Sequence, residues 1–337
     1  NKALLDEEDN WSIIEKLNEE NDNPYENIQA GNIIEFEALA HFAYQRTRTR
    51  KLGILKMDVD NLGVLFGSLG TQLESKKMST AMSWFYDQFF YELWATGSFS
   101  YQQKDKKSGD LSEKEEKYRN NLYVVFAGGD DCFVVGAWDA VFHFALQIRK
   151  EFAAFVQYMQ QQLPKLPKKI TISGGLVVVN PKFPALQFAK IAEKELETAK
   201  DWSGNLQDKD RISVFGEALS WEEFNKAKEM ADILHQNIAA GEFKRSILDR
   251  IKKSAIGYEK LQSKALNEQL KGPKVWRLFH FIGKRKSRNN STQQQAINQL
   301  IKAYANSLMD AYVNKKGTSH MVFPVAARWA EFMTANR

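Results

Sequence analysis

Four residues, Gly128-Gly129-Asp130-Asp131, constrain this chain more than any other stretch. They lie between two apolar runs, Leu122-Tyr123-Val124-Val125-Phe126 and Cys132-Phe133-Val134-Val135. Both runs are rich in β-branched and aromatic residues, which suit strands. Two glycines between two strands predict a β-hairpin, because glycine enters the φ > 0 region without a Cβ clash. The two acids then stand at the hairpin tip beside a Gly-rich gap. Adjacent carboxylates of this kind suit Mg²⁺, which prefers oxygen ligands and brings phosphates with it. The glycines let backbone N–H groups and phosphate oxygens come close. The alternative is plain hairpin punctuation with two solvated acids.

A second acidic strand end favours the catalytic reading. Leu52-Gly53-Ile54-Leu55-Lys56-Met57-Asp58-Val59-Asp60 is a short apolar run ending in Asp-x-Asp, followed by Asn61-Leu62-Gly63. Residues two apart on a strand share a face, so Asp58 and Asp60 share a site if the strand persists through both. Beside the hairpin, Asp58 supplies the third carboxylate that a two-metal phosphoryl-transfer site needs. Asp60 stays open between metal ligand and helix N-cap, a role Asn61 can also fill.

The order is a strand ending Asp-x-Asp, helices, the Gly-Gly-Asp-Asp hairpin, helix, strand, helix, strand. It resembles the ferredoxin-like palm of nucleotidyl cyclases and polymerases, an α+β fold. Met57 to Gly63 and Ala127-Gly128-Gly129-Asp130-Asp131 are more specific. They resemble the second palm domain of the large signalling subunit of type III CRISPR effector complexes. Ser173-Gly174-Gly175-Leu176, Pro181-Lys182-Phe183-Pro184, Ala192-Glu193 through Ala199-Lys200, Ile212 to Gly216 and Trp221-Glu222-Glu223-Phe224 agree with it. One departure is Ser-Gly-Gly where Ser-Ala-Gly is common in that family. The resemblance covers residues 34 to 220 closely.

What the resemblance implies is an ATP-dependent nucleotidyltransferase. It would make cyclic oligoadenylates when its complex holds a matching target RNA. Asp58, Asp130 and Asp131 fall on the catalytic carboxylates. The metal set is Asp58, Val59, Asp130 and Asp131, for Mg²⁺ or Mn²⁺. The nucleotide set is Asn61, Gly128, Gly129, Ser173 and Lys200, with Lys200 contacting phosphate. Implied partners are other subunits of a type III CRISPR complex, guide RNA, target RNA and a first palm domain, on the same full-length protein or a separate chain. Two further readings compete. One is a catalytically silent palm scaffold that binds ATP, RNA or neighbouring subunits. The other is a diguanylate cyclase, whose guanine-reading pattern after Asp60 and inhibitory Arg-x-x-Asp before Gly128 are missing here.

The 337 residues suffice for about two domains. No apolar run approaches the roughly 20 residues of a membrane span. The acidic start, with Asp6, Glu7, Glu8 and Asp9, does not resemble a signal peptide. Cys132, alone of its kind, excludes an intrachain disulfide and a Cys-rich zinc site. A cytoplasmic location is the expectation. His41, His143, His235, His280 and His320 are none of them followed by Asp. The HD nuclease of the resembled family is therefore not expected here, nor are its zinc segment and first palm. The expectation is the C-terminal half of that subunit, or a split one.

The expected organisation is an arm over 1–33, a palm over 34–219 and a helical domain over 220–337. Within the palm, helices are expected near 36–45, 140–163 and 185–200, and strands near 170–179 and 211–215. A further helix carries Met78, Met82, Phe85, Phe89 and Phe90 at three- and four-residue spacing. Residues 102–120 are polar enough to form an exposed insertion or mobile loop before the hairpin. The basic run Arg46 to Lys51 reads as a phosphate contact or a solvated turn. In the last region helices are expected over 220–240, 243–266, 274–283, 292–314 and 320–335. Charge is uneven. Residues 1–30 hold nine acids against two lysines, and residues 243–317 hold seventeen Lys and Arg against four acids. Such asymmetry suggests a partner surface. Lys284, Arg285, Lys286 and Arg288 are its candidate RNA- or partner-contacting residues.

Overall fold

The computed structural model describes residues 34–104, 111–201, 209–255, 295, 299–300, 302–304 and 321–334. The arm and the loop carrying Lys284, Arg285, Lys286 and Arg288 lie outside them, as do most of the helices expected between 256 and 320. The chain divides into two compact units, one of residues up to 46 with 50–210, the other of 47–49 with residues from 211 onward.

In the first unit the elements run α1 (Phe36–Thr47), β1 (Leu52–Val59), α2 (Leu62–Gly67), α3 (Gln72–Trp84), a π-helical turn (Phe85–Phe89) and α4 (Phe90–Thr96). They continue with β2 (Ser98–Lys104), β3 (Leu111–Lys117), β4 (Leu122–Gly128), β5 (Asp131–Ala137), α5 (Trp138–Gln162), β6 (Ile172–Val179) and α6 (Ala185–Lys200). Four of the strands form an antiparallel sheet in the order β4-β5-β1-β6. β1 is central, with β5 on one side and β6 on the other.

Alternation along β1 assigns its two faces. Leu52 and Ile54 join Phe133, Val135, Val177 and Val179 in a core closed by α1 and by Phe188 and Ala192 of α6. On the other face α5 sits so close that a Cβ on Gly53 would lie 2.9 Å from the Trp138 Cα. The α6 approach is equally tight: a Cβ on Gly175 would lie 2.4 Å from the Leu196 nitrogen and 2.5 Å from the Ala192 oxygen. Gly175 thus lets α6 lie on the sheet. The apolar pattern of β1 gives way to Lys56 and Asp58 at its far end, on the α6 face.

Two expectations differ from the structure. Residues 98–117 are largely a two-stranded ribbon, β2 paired with β3, rather than a loop. The ribbon is pinned by Arg46, whose side chain is 2% exposed. Its guanidinium donates to Asp139 Oδ2 at 2.6 Å, Asp139 Oδ1 at 2.8 Å, Glu116 Oε2 at 2.7 Å and Asn121 Oδ1 at 2.8 Å. It also lies over the rings of Phe99 and Tyr101, 5.2 and 5.6 Å from their centroids. Arg46 is therefore a buried structural cation and not a phosphate contact. Polar sequence concealed the ribbon, because its partner is a charge rather than an apolar face.

The second unit begins with a hairpin of β7 (Arg211–Val214) and β8 (Glu217–Ser220). The second strand was not foreseen. Its turn places Phe215 at φ 58° and Gly216 at φ 82°, the left-handed pair a I′ turn requires. The Phe215 ring packs against Phe332 at 5.7 Å and under Arg328 at 5.3 Å. α7 (Trp221–Ala239) follows, then α8 (Ser246–Ala255) and α9 (Val322–Met333). A capping box of Ser220 and Glu223 starts α7. Phe224 of α7 meets Trp329 of α9 at 5.2 Å.

Candidate active site at the end of the palm sheet

β4 ends at Gly128 and β5 begins at Asp131, so the turn proper is Gly129-Asp130. Gly129 has φ 65°. A positive φ on the first turn residue is what a II′ hairpin needs, and glycine supplies it without strain. The acids are accordingly half-buried rather than at an exposed tip. Asp131 is the register partner of Gly128 on one side and of Asp58 on the other. The Asp130 carbonyl accepts the Val59 N–H at 3.0 Å, tying the turn to the end of β1.

Directly opposed residues on an antiparallel pair have Cβ atoms roughly 5 Å apart, where like charges repel. The Asp131 carboxyl is held above the ordinary carboxylate range, first by burial and then by the Asp130 charge. Lys56 works against the shift, while Asp58 and Glu193 add to it. Two ion pairs offset part of this negative charge. Lys56 bonds Glu193, and Lys200, the last residue of α6, bonds Asp58 Oδ2. Glu193 and Lys200 are seven residues apart, two turns of helix, so they leave the same face of α6. Lys56 and Asp58 leave the same face of β1.

Asp58, Asp130, Asp131, Gly128, Gly129 and Lys200 are thus brought together. Val59 is buried and can offer only its backbone carbonyl. Asn61 is exposed, adopts φ 55° and sits at the N-cap of α2 without a side-chain cap bond. Its backbone carbonyl accepts the Val64 and Leu65 N–H groups at 2.9 and 3.1 Å.

Ser173 is different, and here the expectation is corrected. Its side chain is fully buried, and its hydroxyl donates to Asp60 Oδ2 at 3.0 Å, so it offers a nucleotide no surface. Asp60 is neither cap nor surface ligand. It is 4% exposed and accepts from the Thr171 hydroxyl at 2.7 Å and the Asp210 N–H at 3.1 Å. Burial raises its carboxyl, and these bonds oppose the shift. Asp60 fastens the end of β1 to β6.

Sequence reasoning passed over Tyr86, whose hydroxyl donates to the Asp130 carbonyl at 3.0 Å. It also passed over Asp87, whose Oδ1 lies 3.6 Å from where a Gly128 Cβ would sit. Lys56 was passed over as well, although its place two residues before Asp58 on the same strand face was a signal that could have found it.

The donor set fits a hard divalent cation in part. Carboxylate oxygens crowd at one sheet edge with charge that Lys56 and Lys200 only partly offset. Yet no group of three acidic, His or Cys ligands is arranged to hold an ion among the described residues. Mg²⁺ is usually bound by one or two carboxylates together with substrate phosphates rather than by an all-protein cage.

Comparison with known proteins concerns the fold. Residues 51–213 match the Cas10/Cmr2 second palm domain family. Over 205 residues the chain is 38% identical to the CRISPR system single-strand-specific deoxyribonuclease Cas10/Csm1 (subtype III-A) of Methanocaldococcus jannaschii, covering 58% of this chain and 24% of that protein. The chain thus spans about a quarter of that relative's length. The fold is also that of the Csm1–Csm4 cassette solved with AMPPNP, with a TM-score of 0.61, 20% identity, and coverage of 90% of this chain and 38% of that one. The same cassette solved with cA4 gives a TM-score of 0.59, 19% identity, and coverage of 90% and 39%. No described helix is long and apolar enough to cross a membrane. Residues 51–213 are thus similar to the Cas10/Cmr2 second palm domain family, and the chain is a homologue of the Cas10/Csm1 proteins of subtype III-A CRISPR systems.

Proposed function

We propose that the sheet edge carrying Asp58, Asp130 and Asp131 is a nucleotidyltransferase site that joins ATP molecules into cyclic oligoadenylates within a type III CRISPR complex. The observation that carries this reading is the register pairing of Asp58 with Asp131, with the Asp130 turn tied to Val59. Related cassettes solved with AMPPNP and with cA4 support it.

Asp58, Asp130, Asp131 and the Val59 carbonyl would hold Mg²⁺ or Mn²⁺. When bound, such ions favour loss of the proton from an attacking 3′-hydroxyl and stabilise charge on the departing pyrophosphate. In each transfer the 3′-oxygen of one nucleotide bonds the α-phosphorus of another, and the bond from that phosphorus to pyrophosphate breaks. The chain's own residues supply placement. Gly128 and Gly129 leave room for phosphate oxygens beside the backbone. Lys200 already lies at Asp58, so an ATP triphosphate entering there meets its ammonium as a point charge. Asn61, exposed at the start of α2, would contact the nucleotide in this reading. Lys284, Arg285, Lys286 and Arg288 would serve a separate role in docking RNA or partner subunits. A matched first palm domain, another subunit and target RNA complete the assembly in this proposal.

A catalytically silent scaffold is the second reading. The seating of Lys200 on Asp58 favours it, because an ammonium there already balances that carboxylate. Radiolabelled ATP separates the two. The chain is assembled with its partner subunits, guide RNA and target RNA, and product is compared with that of the Asp130→Ala/Asp131→Ala variant. Oligoadenylates from wild type alone support catalysis. Equal amounts from both, or none from either, contradict the site.

A further inference from the structure

We propose that Tyr86 is a positioning residue of this site, setting the Gly129-Asp130 turn against the end of β1 from beneath. The inference deepens the nucleotidyltransferase reading and rests on it. Tyr86 is fully buried in the π-helical turn Phe85–Phe89 between α3 and α4. Such turns are rare and are found frequently at functional sites. The Tyr86 hydroxyl donates to the Asp130 carbonyl at 3.0 Å, and the Val59 amide donates to the same oxygen at 3.0 Å. One carbonyl of the acidic turn is therefore held by two donors from two different elements. Val59 follows Asp58, so these bonds fix Asp130 relative to Asp58.

The aromatic ring is anchored without the hydroxyl. It packs edge-on to Phe85 at 5.2 Å and stacks with Phe90 at 6.3 Å. Burial first, then Cys132, Asp58, Asp130 and Asp131, hold the phenol well above its ordinary pKa. The same π turn carries Asp87 to the Gly128 side of the hairpin. The turn thus meets the acidic loop at both ends. A purely structural tyrosine would contribute to stability alone. A positioning tyrosine also sets how well the carboxylates converge on a cation.

Tyr86→Phe distinguishes the two, since the ring and its packing remain. In the full chain with ATP, Mn²⁺ affinity is read by electron paramagnetic resonance. Removing an outer partner of a metal site typically weakens affinity by about tenfold or more, and about tenfold is expected here. Amide exchange across residues 129–132 should quicken, and the melting temperature should fall by only about 2–4 °C. Tyr86→Leu, which also loses the ring, should lose several times more stability than Tyr86→Phe. Unchanged Mn²⁺ affinity and amide exchange in Tyr86→Phe, in a chain whose wild type binds Mn²⁺ with ATP, overturns the inference and leaves the proposed function standing. Wild type that binds no Mn²⁺ with ATP overturns both.

Discussion

Asp58 and Asp131 are register partners across the β1–β5 pairing, so two carboxylates leave one face of the sheet side by side. A packed fold has no stability reason to oppose like charges there. The arrangement makes sense as a seat for positive charge, which Lys56 and Lys200 supply in part.

Cation-free protein should show the cost of that crowding. The Asp131 carboxyl is raised by burial and then by Asp130. The folded chain therefore holds its proton more tightly than the unfolded chain. Stability from this group is greatest below the ordinary carboxylate value and falls as pH rises through the window up to the raised one. At pH 7 without divalent ions, Asp131→Asn should melt about 1–3 °C higher than wild type. Adding Mg²⁺ and ATP should stabilise wild type more than the variant. Differential scanning calorimetry with and without the ion checks both signs.

Gly175→Ala should be destabilising out of proportion to its size. The new methyl would meet the α6 backbone within 2.5 Å at two atoms. Backbone cannot swing aside as a flexible side chain can, so α6 must shift, at a cost of about 1–3 kcal/mol. Lys200 shifts with it. Urea unfolding should show the loss, and ATP binding should weaken, because residue 175 is the register partner of Lys56 and supports the helix that carries Lys200.

Arg46→Ala should cost about 3–5 kcal/mol, because it leaves Asp139 buried without its cation. The Arg46→Ala/Asp139→Ala pair should cost clearly less than the sum of the two single changes. Strict additivity in urea unfolding would show that the network linking α1, the β2–β3 ribbon and α5 does not act as a unit.

These residues show how much was legible in advance. The palm order, the hairpin and the carboxylate edge were readable because they depend on local chemistry: apolar alternation, a glycine that takes positive φ, acids at strand ends. α6 was placed to the residue for the same reason. What escaped depends on contacts between distant segments. The β2–β3 ribbon looks like a solvated loop until Arg46, far back in the chain, supplies its partner. Strand β8 was hidden because its turn uses Phe215 at positive φ, a choice explained by Phe332 and Arg328. Ser173 and Asp60 carry the residue types of a site, yet are hydrogen-bonded to each other in the interior. Tyr86 was indistinguishable from its apolar neighbours, since nothing in the spacing announces a π turn.

In the proposed function Asp58, Asp130 and Asp131 act together on a divalent cation delivered with ATP. The most direct measurement is a Mn²⁺ titration of the full chain by electron paramagnetic resonance, with and without ATP, in wild type, Asp58→Asn and Asp130→Ala/Asp131→Ala. The account predicts ATP-dependent Mn²⁺ binding in wild type that is lost in both variants, whose melting temperatures stay at or above the wild-type value. Retention of wild-type Mn²⁺ affinity in either variant would contradict it.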